Sequence, residues 1–152
     1  SSRDTEAQVE TAIRIFPEVI SQPCGDNEQG VEEYPIQRLS CNVKAVSFIA
    51  LLARLAIEFH SFEDHERGGL LIEDYTDNNT FTNLIFRTHL DQHDLILPLL
   101  IRLRHIGLLK KDDIIDYDLT YWSCCADDSP ERGFQFLVFQ FLVEWDPTSL
   151  IQ

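Results

Sequence analysis

The stretch from Ala45 to Phe59 constrains this chain most tightly. Val46, Phe48, Ile49, Leu51, Leu52, Leu55 and Phe59 recur at helical spacing, while polar residues are confined to Ser47, Arg54 and Glu58. Spacings of three and four mark a helix. A polar stripe this narrow leaves most of the helix surface apolar, so it needs cover on more than one side. The chain therefore has to fold other elements around this one. It has the means: 152 residues, 44% of them hydrophobic, suit one compact domain or a short repeat array with a sizeable core.

Further helices are legible on either side. Val9, Ala12, Ile13 and Phe16 form an apolar face that Asp4 or Ser2 can cap, ending before Pro17. Residues 21–33 carry turn chemistry and read as a loop. Pro35 suits the first turn of a short helix with Ile36 and Leu39 on one side. Residues 60–69 are charged, end in Gly68-Gly69 and look like an exposed connection. After a turn at Tyr75–Asn79, Asn79 or Thr80 caps a short helix to Phe86, with Phe81, Leu84 and Ile85 inward. Leu95 to Ile106 is a second strongly apolar helix, with Pro98 fitting its first turn and Gly107 its stop. Lys110 to Asp113 reads as a solvated corner, and a short helix is expected around Leu119, Tyr121 and Trp122. Ser129-Pro130-Glu131 starts the last helix, whose stripe is Phe134, Leu137, Val138, Phe141, Leu142 and Trp145; Asp146-Pro147 ends it. The expected class is all-α.

Charge narrows the function. The chain has 12 basic and 26 acidic residues, a formal charge of -14. Phosphate backbones and anionic membrane surfaces repel such a chain. No apolar run approaches the roughly 20 residues of a membrane span. The excess acid suits a protein partner with a basic segment, though acidity also serves solubility alone. Cys24, Cys41, Cys124 and Cys125 form no C-x-x-C pair and read as reduced thiols, which favours a cytoplasmic or nuclear setting. The sequence contains no Met, and a piece of a longer protein is expected.

The elements recur. Three times a polar turn is followed by a short helix, a gap and a longer apolar helix. The longer helices begin near Ala45, Leu95 and Ser129, about 50 and then 34 residues apart. The chain's ends also echo each other, Phe16-Pro17-Glu18-Val19-Ile20 against Asp146-Pro147-Thr148-Ser149-Leu150. Paired helices at such periods point to an α-solenoid. With Asp26-Asn27, Gly30, Tyr34-Pro35-Ile36-Gln37 and then Ala45 to Leu52, the sequence resembles the ankyrin repeats. Tyr34-Pro35-Ile36-Gln37 stands where that family has Thr-Pro-Leu-His, and Asp77 to Phe81 resembles a second, degraded turn. The tetrapeptide histidine is absent, the turn glycine of the second unit is replaced by Asn79, and the spacing is irregular. Another helical-hairpin repeat or a non-repetitive helical domain satisfies the same pattern. The expected organisation is one domain over 1–152 of about three irregular ankyrin-like helix pairs. Its units are a partial one at 1–20, then 21–69, 70–110 and 111–152.

The resemblance implies a non-enzymatic interaction scaffold that binds another protein through turn tips and short helices. Carried over by position, the contact residues are Asp26, Asn27 and Gln37 in the first unit and Asp77, Asn78 and Asn83 in the second. Tyr121 and Trp122 serve in the third, or are buried instead. A structural or accessory helical subunit is the alternative, held by self-association through the apolar last helix. That helix is too apolar to face water on either flank, so something is expected to cover it, or the chain to continue past Gln152. A third reading is a histidine–carboxylate enzyme. His89 and His93 have the four-residue spacing of metal ligands on a helix, but lie in a polar stretch without the glutamate of the zinc hydrolase motif. Glu63-Asp64-His65-Glu66 lacks the alternating oxygens of a calcium loop. No cofactor, metal or catalytic residue is expected.

Overall fold

A computed structural model describes residues 5–24, 32–42, 44–86, 93–125 and 135–151. These residues form eight α-helices joined by turns and short 3-10 segments, with one isolated β-bridge between Cys24 and Glu33. The all-α expectation holds among them. The chain divides into two compact units, Ser1–Thr80 and Phe81–Gln152.

In the first unit, α1 spans Glu6–Ile15. Its cap is Thr5, and the expected Asp4 and Ser2 lie outside the described residues. Thr5 wins because Gln8 sits three residues on. Thr5 Oγ1 accepts from the Gln8 N–H at 3.3 Å, and Gln8 Oε1 accepts from the Thr5 N–H at 2.8 Å, so two end donors are satisfied reciprocally. Phe16, expected on the inner face, is 59% exposed. The residue before a proline is pushed out of helical geometry, and Phe16 accordingly has φ -127 and ψ 65. Pro17–Ile20 then forms a 3-10 turn that buries Ile20.

Helix α2, Pro35–Ser40, starts with its proline at the first position, as its sequence requires. Helix α3, Ile49–Glu58, follows a 3-10 turn at Val46–Phe48. Ile49 to Ala53, Leu55 and Ala56 are all buried. The cover it needs comes from α1 and α2, which pack against it, and from Gly68, which approaches the Ala53 backbone too closely to leave room for a Cβ. The stretch 60–69 is therefore more than an exposed connection. Glu63 and Glu66 close a 3-10 turn at Asp64–Glu66, Arg67 takes a left-handed conformation, and Gly68, Gly69 and Leu70 are buried.

The second unit takes up the chain within α4, Thr80–Phe86, where Phe81, Leu84 and Ile85 are buried as expected. Helix α5, His93–His105, includes residues ahead of the expected Leu95–Leu97 start, so Pro98 lies inside the helix and not in its first turn. The ring removes one bond to the Asp94 carbonyl; Asp94 and Pro98 are both exposed, so solvent can reach that acceptor. Gly107 stops α5 with φ 78, and the Leu108 N–H reaches back to the Leu103 carbonyl at 2.8 Å, closing a Schellman-type end.

The expected corner at Lys110–Asp113 instead opens a short helix, α6, Asp112–Asp116. Asp113 is buried and its Oδ2 accepts from the Lys110 N–H at 2.7 Å, which satisfies an end donor. Helix α7, Leu119–Cys124, packs on α8, Phe136–Trp145, and α5 packs there too. The start expected at Ser129 lies outside the described residues, and Gln135 is not helical. Helix α8 buries Val138 and Leu142. The Arg104 guanidinium covers the Trp145 ring at 4.2 Å and lies 5.7 Å from the Phe141 ring. A 3-10 turn, Pro147–Leu150, follows. Helix, one extended residue, proline and four-residue 3-10 turn thus occur at both ends of the chain. Ile20 is buried in the first copy, whereas Leu150 is exposed in the second.

Candidate interaction surface

Among the described residues, one expected contact region is a turn from Asp74 to Asn78 that its own side chains close. Asp74 is buried, and its Oδ1 accepts from the Thr76 N–H at 2.7 Å, the Thr76 hydroxyl at 2.6 Å and the Asn78 N–H at 3.2 Å. The Asp74 N–H in turn donates to the Asn78 carbonyl at 2.8 Å. A short acceptor side chain closing its own backbone is the reason Asp begins such turns. The effect is to hold Asp77, with φ 59, out in solvent, beside a half-buried Asn78. The sequence pattern named Asp77 and Asn78 but missed Asp74, which organises them.

Two other expected contacts are turned inward. Gln37 is 3% exposed. Its Oε1 accepts from the Tyr34 N–H at 2.8 Å, and its Nε2 donates to the Ile72 carbonyl at 3.3 Å. Asn83, on α4, is 1% exposed. Side chains so placed hold the fold together and have almost no surface to offer. Tyr121 is 61% exposed. Trp122 is half-buried, edge-on to Phe86 with ring centroids 4.8 Å apart and to Tyr121 at 5.3 Å. These three rings form one aromatic patch in the second unit. A hydrogen bond with Cys125 pushes the Tyr121 phenol above its ordinary value, and burial does the same to the Cys124 thiol. Neither group is thereby primed as a nucleophile. Asp26 and Asn27 lie outside the described residues, as do His89 and the side chain of His93. Among the described residues no three His, Cys, Asp or Glu side chains gather as a metal site.

Each unit also carries a surface cavity that its sequence did not announce. In the first, about 320 Å3 is lined by Val9, Ile13, Pro35, Leu39, Phe48 and Leu52, an apolar set. In the second, about 350 Å3 is lined by Leu97, Pro98, Leu137 and Val138, together with Asp94 and Gln135. In the sequence Gln135 stands between two phenylalanines, just ahead of the apolar run Phe136 to Phe139. Phe136 and Leu137, beside it, are 57% and 60% exposed, so α8 is covered on one flank and open on the other.

Electrostatics concentrate where α1 meets α3. Arg14 bridges Glu58 at 2.6 Å and Glu10 at 2.8 Å, and Arg54 reaches Glu10 at 3.1 Å. Hydrogen bonds from Arg14 hold the Glu10 and Glu58 carboxyls below the ordinary range, and those same bonds raise Arg14 above its own. This exposed network fastens the two helices and leaves no unpaired charge for chemistry. Compared with known protein families, with curated proteins and with solved structures, the chain finds no match.

Proposed function

We propose that this chain is a protein-interaction module built on ankyrin-like helix pairs, binding its partner through exposed turns and short helices. One observation carries the reading: among the described residues a short helix followed by a longer one occurs three times in chain order, as α2 and α3, α4 and α5, and, after the short α6, α7 and α8. The short members are 6, 7 and 6 residues long and the longer ones 10, 13 and 10. Pairs of this kind leave the turns between them free, and in a repeat stack those turns and the short helices face the partner. The Asp74–Asn78 turn has the necessary rigidity, because a loop already fixed by its own hydrogen bonds loses little freedom on binding. The Tyr121, Trp122 and Phe86 patch supplies the aromatic surface that interfaces favour.

The test substitutes one exposed side chain on each of these surfaces. Asp77→Lys and Tyr121→Ala are expected to leave the circular dichroism spectrum unchanged, with the melting temperature of Tyr121→Ala lowered slightly by loss of its edge contact with Trp122. Each is expected to reduce capture of a crosslinked partner at least fivefold. Full retention of the partner by both variants would remove the reading.

A second reading has its own observation. Phe136 and Leu137 on α8, with Leu150 and Ile151 beyond it, expose large apolar side chains. An accessory helical subunit of a larger assembly would cover them. Sedimentation that depends on concentration, abolished by Leu137→Glu, would favour it.

A further inference from the structure

Tyr121 is 61% exposed, a fraction at which one face of its ring stays open to solvent. It meets Trp122 edge-on, and Trp122 meets Phe86 edge-on, so the rings brace one another. Edge-on contacts hold aromatic rings in place and leave the negative π face free. Among the described residues no cation lies over Tyr121 or Trp122. Elsewhere the chain does use such faces: Arg104 lies 4.2 Å from the Trp145 ring centroid, and Arg14 5.8 Å from that of Phe59. Asp118, at the head of α7, is exposed and in no ion pair among the described residues. Its carbonyl accepts from the Trp122 N–H at 3.0 Å, which sets it one helical turn from the two rings. Its charge is felt there: a hydrogen bond with Cys125 is the chief cause of the raised Tyr121 phenol, and Asp118 adds to it. From 112 to 125 the chain has four aspartates and no Lys, Arg or His.

We propose that this patch receives an arginine side chain from a basic segment of a protein partner. The guanidinium lies over the open face of Tyr121 and donates from its rim to the Asp118 carboxylate. Charge and shape select this occupant. The side-chain charge over 112–125 is wholly negative, so an anionic group is repelled and a cationic one drawn in. The formal charge of -14 steers encounter the same way. A purely apolar segment would cover the rings and take the Asp118 carboxylate out of water with nothing to pair it. A lysine ammonium is a compact point charge. A guanidinium is planar, so it stacks with its face while its edge donates to a carboxylate. The proposal rests on the reading of the chain as a protein-interaction module and names the chemistry of one contact.

The experiment is a nuclear magnetic resonance titration of the whole chain with the peptide acetyl-Gly-Arg-Gly-Arg-Gly-amide. Parallel titrations replace both arginines by citrulline, the neutral isostere, or by lysine, and a fourth uses acetyl-Pro-Pro-Pro-Pro-amide as an extended apolar segment. The arginine peptide is expected to shift the Trp122 indole N–H and the Tyr121 backbone amide. Citrulline should weaken binding about tenfold, because the ring attraction and the ion pair are both lost. The lysine peptide should bind more weakly than the arginine one. Asp118→Asn keeps a residue type that tolerates the left-handed backbone at φ 52 and should weaken the arginine peptide about threefold. Tyr121→Leu should weaken it about threefold, and Tyr121→Phe, which keeps the ring, should bind as the parent does. Equal binding of the citrulline or lysine peptide, or no effect of Asp118→Asn, overturns the arginine contact while partner capture through Asp77 and Tyr121 still stands. Loss of binding in Tyr121→Phe also overturns it, by assigning the contact to the phenol instead of the ring face. Tighter binding of the proline peptide overturns it by giving the patch to an apolar segment. No shift at Trp122 or Tyr121 with any peptide removes the site altogether.

Discussion

Two glycines separate what conformation demands from what space demands. Gly68 and Gly107 both have positive φ, 66 and 78 degrees, where a side chain strains the backbone. A Cβ at Gly68 would lie 2.4 Å from the Ala53 carbonyl oxygen and 3.0 Å from its carbon. Those are backbone atoms of α3, and they cannot swing aside. A Cβ at Gly107 would meet nothing within 4 Å. Gly107→Ala should therefore cost only the left-handed strain, about 1 kcal/mol. Gly68→Ala should cost that strain plus a displaced helix, in total about 3 kcal/mol or more. Urea midpoints of the two variants check this. Equal losses would mean that strain alone sets the penalty and that the approach of residue 68 to α3 contributes nothing.

At the scale of elements, two aspartates use the same device. Asp74 closes the turn before α4, and Asp146 closes the 3-10 turn after α8 through the Thr148 N–H at 3.2 Å and the Thr148 hydroxyl at 2.7 Å. Lys111 lies 3.4 Å from the same carboxylate. The Thr148 hydroxyl bond, helped by the Thr148 N–H and by Lys111, holds the Asp146 carboxyl below its ordinary value. A depressed folded value contributes stability that is complete above the unfolded aspartate pKa, about 3.9, and is lost as pH falls through the folded one. Asp146→Ala should thus lower the urea midpoint at pH 7. The gap to the parent protein should close progressively below about pH 4. Urea titrations at pH 7 and pH 3 check it, and an undiminished gap at pH 3 would show that packing rather than the ionised carboxylate matters. These caps also show how far the sequence could be read. The longer helices, Pro35 and Gly107 were legible because period, proline and glycine act locally. Helix α6 was not, because its five residues form only once Asp113 is buried against the Lys110 N–H. The inward turn of Gln37 depends on the Ile72 carbonyl, 35 residues away, which no local pattern encodes. The same holds for Gln135, tied to Ile85 across 50 residues. The polar character of these side chains was visible, but whether each faced a partner or its own chain was a tertiary matter.

For the molecule as a whole, the balance between paired and unpaired charge decides the response to salt. The Arg14, Glu10, Arg54 and Glu58 network is partly exposed, with side chains 28–48% accessible. Exposed pairs of this kind contribute little, and salt weakens them. Against them stands a formal charge of -14, spread over both units, whose self-repulsion opposes the folded state and is also screened by salt. At 20 mM salt, screening extends well beyond the roughly 10 Å that holds at 0.1 M, so repulsion acts between many carboxylates at once. The uncompensated acids outnumber the pairs, and the sum favours repulsion. Melting temperature should therefore rise by a few degrees between 20 and 300 mM sodium chloride, in spite of the weakened α1–α3 bridge. Chloride is the proper anion here, since sulfate strengthens apolar burial on its own account. Arg14→Gln should steepen the rise, because the variant loses a bridge that salt would have weakened and gains one unit of net negative charge. A melting temperature that falls with added chloride would place the Arg14 network, rather than the acidic surface, in control of stability.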